Sequence, residues 1–171
     1  MSKEVFLIDS NSLITPHLSY YHFDFVPGFW EQIEYWIKEG RIAILDMVRN
    51  EILQGNDSLK EWMKKLDIKN YIDHRNPKIL DKYSQILNYL RNNDCYKSSA
   101  LAEWAKESVA DPWLIATAAV HNYTIITFEK SNPTPSAANP SKKAKIPDMA
   151  KVFHVKTAEL YFLMRELNFK F

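Results

Sequence analysis

Val5-Phe6-Leu7-Ile8-Asp9-Ser10-Asn11-Ser12-Leu13-Ile14 is the stretch on which the fold of this chain turns. Four apolar residues in a row, mostly of β type, suit a strand covered on both faces. The run ends on a carboxylate, and a polar turn then opens a helix. In open α/β sheets, ligands gather beyond the carboxyl ends of the strands. Asp9 therefore raises the question of which other acids reach the same edge.

Working outward, Gly28 to Lys38 has helical spacing and Gly40 is placed to end it in a left-handed conformation. Arg41-Ile42-Ala43-Ile44-Leu45 reads as a second strand, with Asp46 as the cap of the helix that follows. Leu59 to Leu66 is amphipathic, a short edge segment falls at 68–72, and Pro77 opens a long helix to about Arg91. Ser98 begins another helix. Asp111-Pro112 reads as an N-cap and first-turn proline opening an alanine-rich helix to about His121. Tyr123-Thr124-Ile125-Ile126-Thr127 is a third strong strand. A short helix at 146–151, a strand at Phe153-His154-Val155 and a helix capped by Thr157 complete the chain. Alternating strands and helices predict a three-layer α/β/α sandwich with a central, mostly parallel sheet.

The 171 residues fit a single domain, 1–171. Residues 131–145 have the Pro, Ser, Asn and Lys composition of a mobile loop. One cysteine cannot form an internal disulfide, and the start of the chain has no signal-peptide pattern, so a cytoplasmic location is expected. No run approaches the ~20 apolar residues of a membrane span. A formal charge of +1 leaves any anionic partner to a local patch. Three glycines and no GxGxxG or Walker-type run argue against a phosphate loop, and five scattered histidines without ligand spacing argue against zinc.

Asp9, Glu51, Asp111 and Glu129 each fall at or near the carboxyl end of a strand or in the adjoining helix. In a right-handed parallel sheet those places share one edge. Converging carboxylates suit a hard divalent cation, Mg²⁺ or Mn²⁺, which can activate water against a phosphodiester. Spacing alone does not force the four together. Each has a plain structural role as well: a turn cap for Asp9, a helix cap for Asp111 and a solvated helix face for Glu51. Ser10, Asn11 and Ser12 either cap the first helix or meet a phosphate, and the Thr127 hydroxyl is placed to orient a carboxylate. Asp148 reads as a first-turn acid. Lys142, Lys143 and Lys145 are either a solubilising loop or a grip on an RNA backbone. Tyr20, Tyr21, Phe23 and Phe25 stack bases or pack against the protein.

Phe6 to Ile14 resembles the opening of PIN domains, in which a first strand ends in Asp followed by Ser or Thr, Asn and an apolar pair. Val48-Arg49-Asn50-Glu51-Ile52 resembles their second acidic motif, Ala110-Asp111-Pro112-Trp113 to Ala116 the third, and Ile125 to Glu129 the fourth, where Glu stands for the usual Asp. The match runs nearly end to end. Asp57 to Trp62, the Asp-Pro-Trp triplet and Lys145-Ile146-Pro147 are most similar to a prokaryotic PIN-like family. The resemblance implies a Mg²⁺- or Mn²⁺-dependent single-strand endoribonuclease, with Asp9, Glu51, Asp111 and Glu129 as metal ligands. It also implies an RNA substrate, the role of toxin in a type II toxin–antitoxin pair, and an antitoxin partner. Exposed apolar residues in 18–29 are expected to serve self-association, as a homodimer, or an inhibitor. Two other readings stand beside it: a PIN-like module that binds RNA or protein without catalysis, and an aspartyl-phosphate phosphotransferase. Asn11, where a haloacid-type enzyme has a second Asp, weighs against the latter.

Overall fold

A computed structural model describes residues 4–132 and 135–171. Met1, Ser2 and Lys3, which belong to the N-terminal reading, and Pro133 and Thr134 of the expected mobile loop lie outside the described residues. The central strands are β1 (Phe6–Ile8), β2 (Ile42–Leu45) and β4 (Thr124–Ile126), with β3 (Tyr71–Ile72) and β5 (Thr157–Ala158) at the edges. Their order is β3-β2-β1-β4-β5, and every pairing is parallel. The helices are α1 (Asn11–Ser19), α2 (Pro27–Lys38), α3 (Asp46–Leu53), α4 (Ser58–Lys65), α5 (Pro77–Arg91), α6 (Ser98–Trp104), α7 (Asp111–His121), α8 (Ile146–Val152) and α9 (Leu160–Glu166).

The residues of β1, β2 and β4 are all buried, as strands covered by helices on both faces must be. Phe6, Leu7, Ile8, Ile42, Ile44, Ile125 and Ile126 form the middle of the core, with Phe29, Ile33 and Ile37 of α2 and Leu114 and Ile115 of α7 against them. The α/β sandwich expected from the strand and helix alternation is the observed architecture. Gly40 closes the α2–β2 turn at φ 75°, a conformation that costs glycine little and other residues more.

Two local expectations differ from the structure. The last strand is Thr157–Ala158 rather than 153–155, and the final helix starts at Leu160, after Glu159 as N-cap. Val155 instead donates its N–H to the Ala150 carbonyl, closing the end of α8, with His154 at φ 56°. Its backbone closes the helix, and its side chain is buried in the core. In the 15–27 stretch α1 runs on through Pro16 to Ser19. Tyr21 stacks on Phe29 and Phe23 on Trp30, each at 4.3 Å, so these two rings pack against the protein. Leu18, Tyr20 and Phe25 remain exposed. No helix among the described residues is long and apolar enough to cross a membrane.

Candidate functional site

Parallel pairing of β1 with β4 sets Ile8 opposite Ile126, so the next residues, Asp9 and Thr127, leave the sheet side by side. The Asp9 N–H donates to the Ile126 carbonyl at 2.9 Å. The Thr127 hydroxyl donates to Asp9 Oδ2 at 2.9 Å and accepts the Glu129 N–H at 3.1 Å. One side chain thus aims the first acid and the backbone of the fourth, the orienting role expected for Thr127. The Ser10 hydroxyl lies 3.4 Å from Asp9 Oδ1. Ser12 is buried and spends its hydroxyl on the Ile126 carbonyl at 3.1 Å, tying α1 to β4. Asn11 is exposed at the first position of α1.

Glu51 comes from α3, which starts directly after β2, and it is exposed. Asp111 differs from its expected role. Ala110 is the N-cap of α7, and Asp111 is the first helical residue, with no side-chain cap bond. Its carboxylate sits in the first turn, where the positive end of the helix favours negative charge. Trp113, two residues on, stacks on Tyr83 of α5 with centroids 3.7 Å apart and so fixes that end of α7.

The acids sense one another. Burial raises the Asp9 carboxyl from 3.8 to about 6, the Thr127 hydrogen bond opposes the rise, and the charges of Glu51 and Glu129 add to it. Asp111 is raised from 3.8 to about 7, first by burial and then by the charges of Glu129, Asp9 and Glu51, against the pull of Lys145. Two carboxyls raised first by burial and then by the charges of neighbouring acids are a feature of sites that take a cation or a proton. The donor set, hard carboxylate oxygens, fits Mg²⁺ or Mn²⁺. The four do not close to direct ligand spacing, because no three of them among the described residues bring oxygens within 4.8 Å of one another. That spacing suits an ion that keeps several waters.

Glu129 is the most committed of the four. Its Oε1 accepts from Lys145 Nζ at 3.0 Å and its Oε2 from the Ile146 N–H at 2.8 Å. Lys145, read as either a solubilising lysine or a grip on RNA, is therefore engaged inside the site. Lys142 and Lys143 stay exposed on the rim of a cavity of about 450 Å³ whose walls include Asp111, Glu129 and Trp104. The segment carrying these lysines is anchored: Ser141 and Cys95–Lys97 exchange backbone bonds, and Asp148 accepts from the Ser131 hydroxyl and the Asn132 N–H. Asp148 is thus a loop anchor as well as a first-turn acid.

One group at the same edge was not anticipated. Asp46, read as a helix cap, is the first residue of α3, and its Oδ2 lies 2.6 Å from His74 Nδ1. With Asp73 these form the trio among the described residues whose ligand atoms lie within 4.8 Å of one another. Ion pairing accounts for it, since Arg75 grips both oxygens of Asp73 and holds its carboxyl far below the usual range. The readable signal was positional: Asp46 ends one strand and Asp73-His74 the neighbouring one.

Fold and edge together define an open parallel α/β domain with an acidic centre at the carboxyl ends of its strands. A family model described as "Domain of unknown function (DUF4411)" matches residues 6–171, and the chain belongs to that family. Among solved structures it is similar to a chain in the crystal structure of VapBC2 from Rickettsia felis bound to a DNA fragment from their promoter. That similarity has a TM-score of 0.52 at 14% identity and covers 91% of this chain and 98% of that one. No curated protein matches the chain.

Proposed function

We propose that this protein is a divalent-cation-dependent endoribonuclease acting on single-stranded RNA, working in the cytoplasm as the toxin of a type II toxin–antitoxin pair. The observation that carries the reading is the raised pair Asp9 and Asp111, each pushed up by burial and by the charges of the other acids. Repulsion of this kind is what a bound cation relieves. The PIN-like order of the four motifs supports the ribonuclease class. The likeness in fold to the VapBC2 chain supports the toxin role, the DNA fragment belonging to that complex.

In this reading Asp9, aimed by Thr127 and Ser10, and Asp111, at the N-terminus of α7, hold Mg²⁺ or Mn²⁺ from the protein side. Glu51 completes the site from the solvent side. The ion supplies charge neutralisation and an acidified water for in-line attack on the phosphodiester. Lys142 and Lys143 hold the RNA backbone across the cavity mouth, and the contact is salt-dependent. Exposed Leu18, Tyr20 and Phe25 are the surface given to the antitoxin or to a second copy in a homodimer.

The test is incubation of mixed RNA with the purified protein and Mn²⁺ or Mg²⁺, beside Asp9→Asn and an EDTA control. The wild type should cleave, and both controls should lose at least about 100-fold of the rate, the size of effect expected when a charge-stabilising group is removed. Equal cleavage by wild type and Asp9→Asn refutes the nuclease reading. Binding without cleavage replaces it with a binding module.

A further inference from the structure

We infer that the Lys145 ammonium is a built-in cation of the acidic centre: it keeps Glu129 for itself and leaves a site for one divalent ion, held by Asp9, Glu51 and Asp111. The inference rests on the cation-dependent reading above and goes beyond it in stating how many ions bind and what replaces the second. Nucleases of the two-ion kind use carboxylates to bridge both ions, with one ion at the attacking oxygen and one at the leaving oxygen. Here the fourth carboxylate already holds a cation of the chain's own. Both Glu129 oxygens are engaged, one by Lys145 Nζ at 3.0 Å and the other by the Ile146 N–H at 2.8 Å. Its own N–H is fixed on Thr127.

The arrangement is built rather than incidental. Lys145 directly precedes Ile146, so the ammonium and the amide that grip Glu129 come from one rigid step of chain at the start of α8. The side chains of the pair are about one-third and one-fifth exposed, which makes the contact stronger than a fully solvated one. Lys145 also reaches past Glu129. Its charge acts on Asp111, and its side chain lines the same cavity as Lys142 and Lys143. A second ion would compete with the Lys145 ammonium for Glu129 Oε1.

The experiment counts Mn²⁺ bound to the full chain by equilibrium dialysis and by electron paramagnetic resonance of the free ion. Wild type and Lys145→Arg should bind one Mn²⁺ per chain. Lys145→Gln, with its fold checked by circular dichroism, should bind a second ion, because Glu129 regains a free oxygen. Glu129→Gln should still bind one ion, with affinity within about threefold of wild type, whereas loss of a true ligand costs far more. Two ions on the wild type, a folded Lys145→Gln that stays at one, or a Glu129→Gln that loses the ion would each overturn the inference while leaving a metal nuclease standing. A wild type that binds no Mn²⁺ overturns both. If Lys145→Gln does not fold, Glu129→Gln decides on its own.

Discussion

Asp111→Asn should make the metal-free protein more stable at neutral and alkaline pH, although it alters the centre of the site. Asp111 is mostly enclosed and its carboxyl is raised from 3.8 to about 7. At ~1.4 kcal/mol per pH unit, ionising it in the folded protein at pH 8 costs about 4 kcal/mol relative to the unfolded chain. Part of that belongs to Asp9, Glu51 and Glu129 jointly, so the gain on removing one charge is about 2–4 kcal/mol. In a domain of this size it should raise Tm by roughly 5–15 °C. A raised carboxyl pKa means that the folded state holds its proton longer than the unfolded one. The penalty is absent below the unfolded value, grows as pH rises from about 4 to about 7, and is complete above that. The gap between variant and wild type should therefore be small at pH 4 and full at pH 8. Thermal melts followed by circular dichroism at both pH values, in EDTA, measure it. Added Mg²⁺ should then stabilise the wild type and leave the variant nearly unmoved. No gain at pH 8, or an equal gain at pH 4, refutes the picture of an Asp111 carboxyl raised by burial and by the charges of its neighbours.

Two further substitutions probe how the acids are held. Thr127→Val removes the donor to Asp9 Oδ2, a buried bond, and the acceptor for the Glu129 N–H, a partly buried one. It should cost about 1–3 kcal/mol in urea unfolding and push the Asp9 carboxyl higher still, visible as a proton resonance shift; an unchanged midpoint would contradict the bonding described. Asp46→Ala strips His74 Nδ1 and the His74 N–H of their acceptor, for a loss of about 1–3 kcal/mol in urea. Because Arg75 already satisfies Asp73, Mn²⁺ binding should not change, and a lost ion would mean that the trio is itself a metal site.

The sequence makes the fold legible where one element carries its own signal. The β1, β2 and β4 runs are apolar because helices cover both faces, and that composition is local. The last strand was misread for the converse reason. Thr157–Ala158 is only half-buried and exists through its pairing with β4, whereas the apolar Phe153 and Val155 are used to finish α8. The same division runs through the site. Asp9 and Asp111 could be found because a strand end or a helix start announces each. Asp46 with His74 has only a positional signal, and Glu129 with Lys145 has none, because those contacts join residues 28 and 16 apart in the chain.

Glu129 shows what such a contact decides. By motif it is a fourth acid with one methylene more than the usual Asp, a change that looks like a small matter of reach. In the structure that extra length lets one carboxylate span two donors, the Lys145 ammonium and the Ile146 amide, that lie on the far side of a long loop. An Asp at 129, anchored by the same Thr127 bond to its backbone, would end about 1.5 Å shorter and could not keep both. The lysine-bearing segment and the Glu therefore act as one unit: the segment brings the cation, and the longer acid is there to meet it.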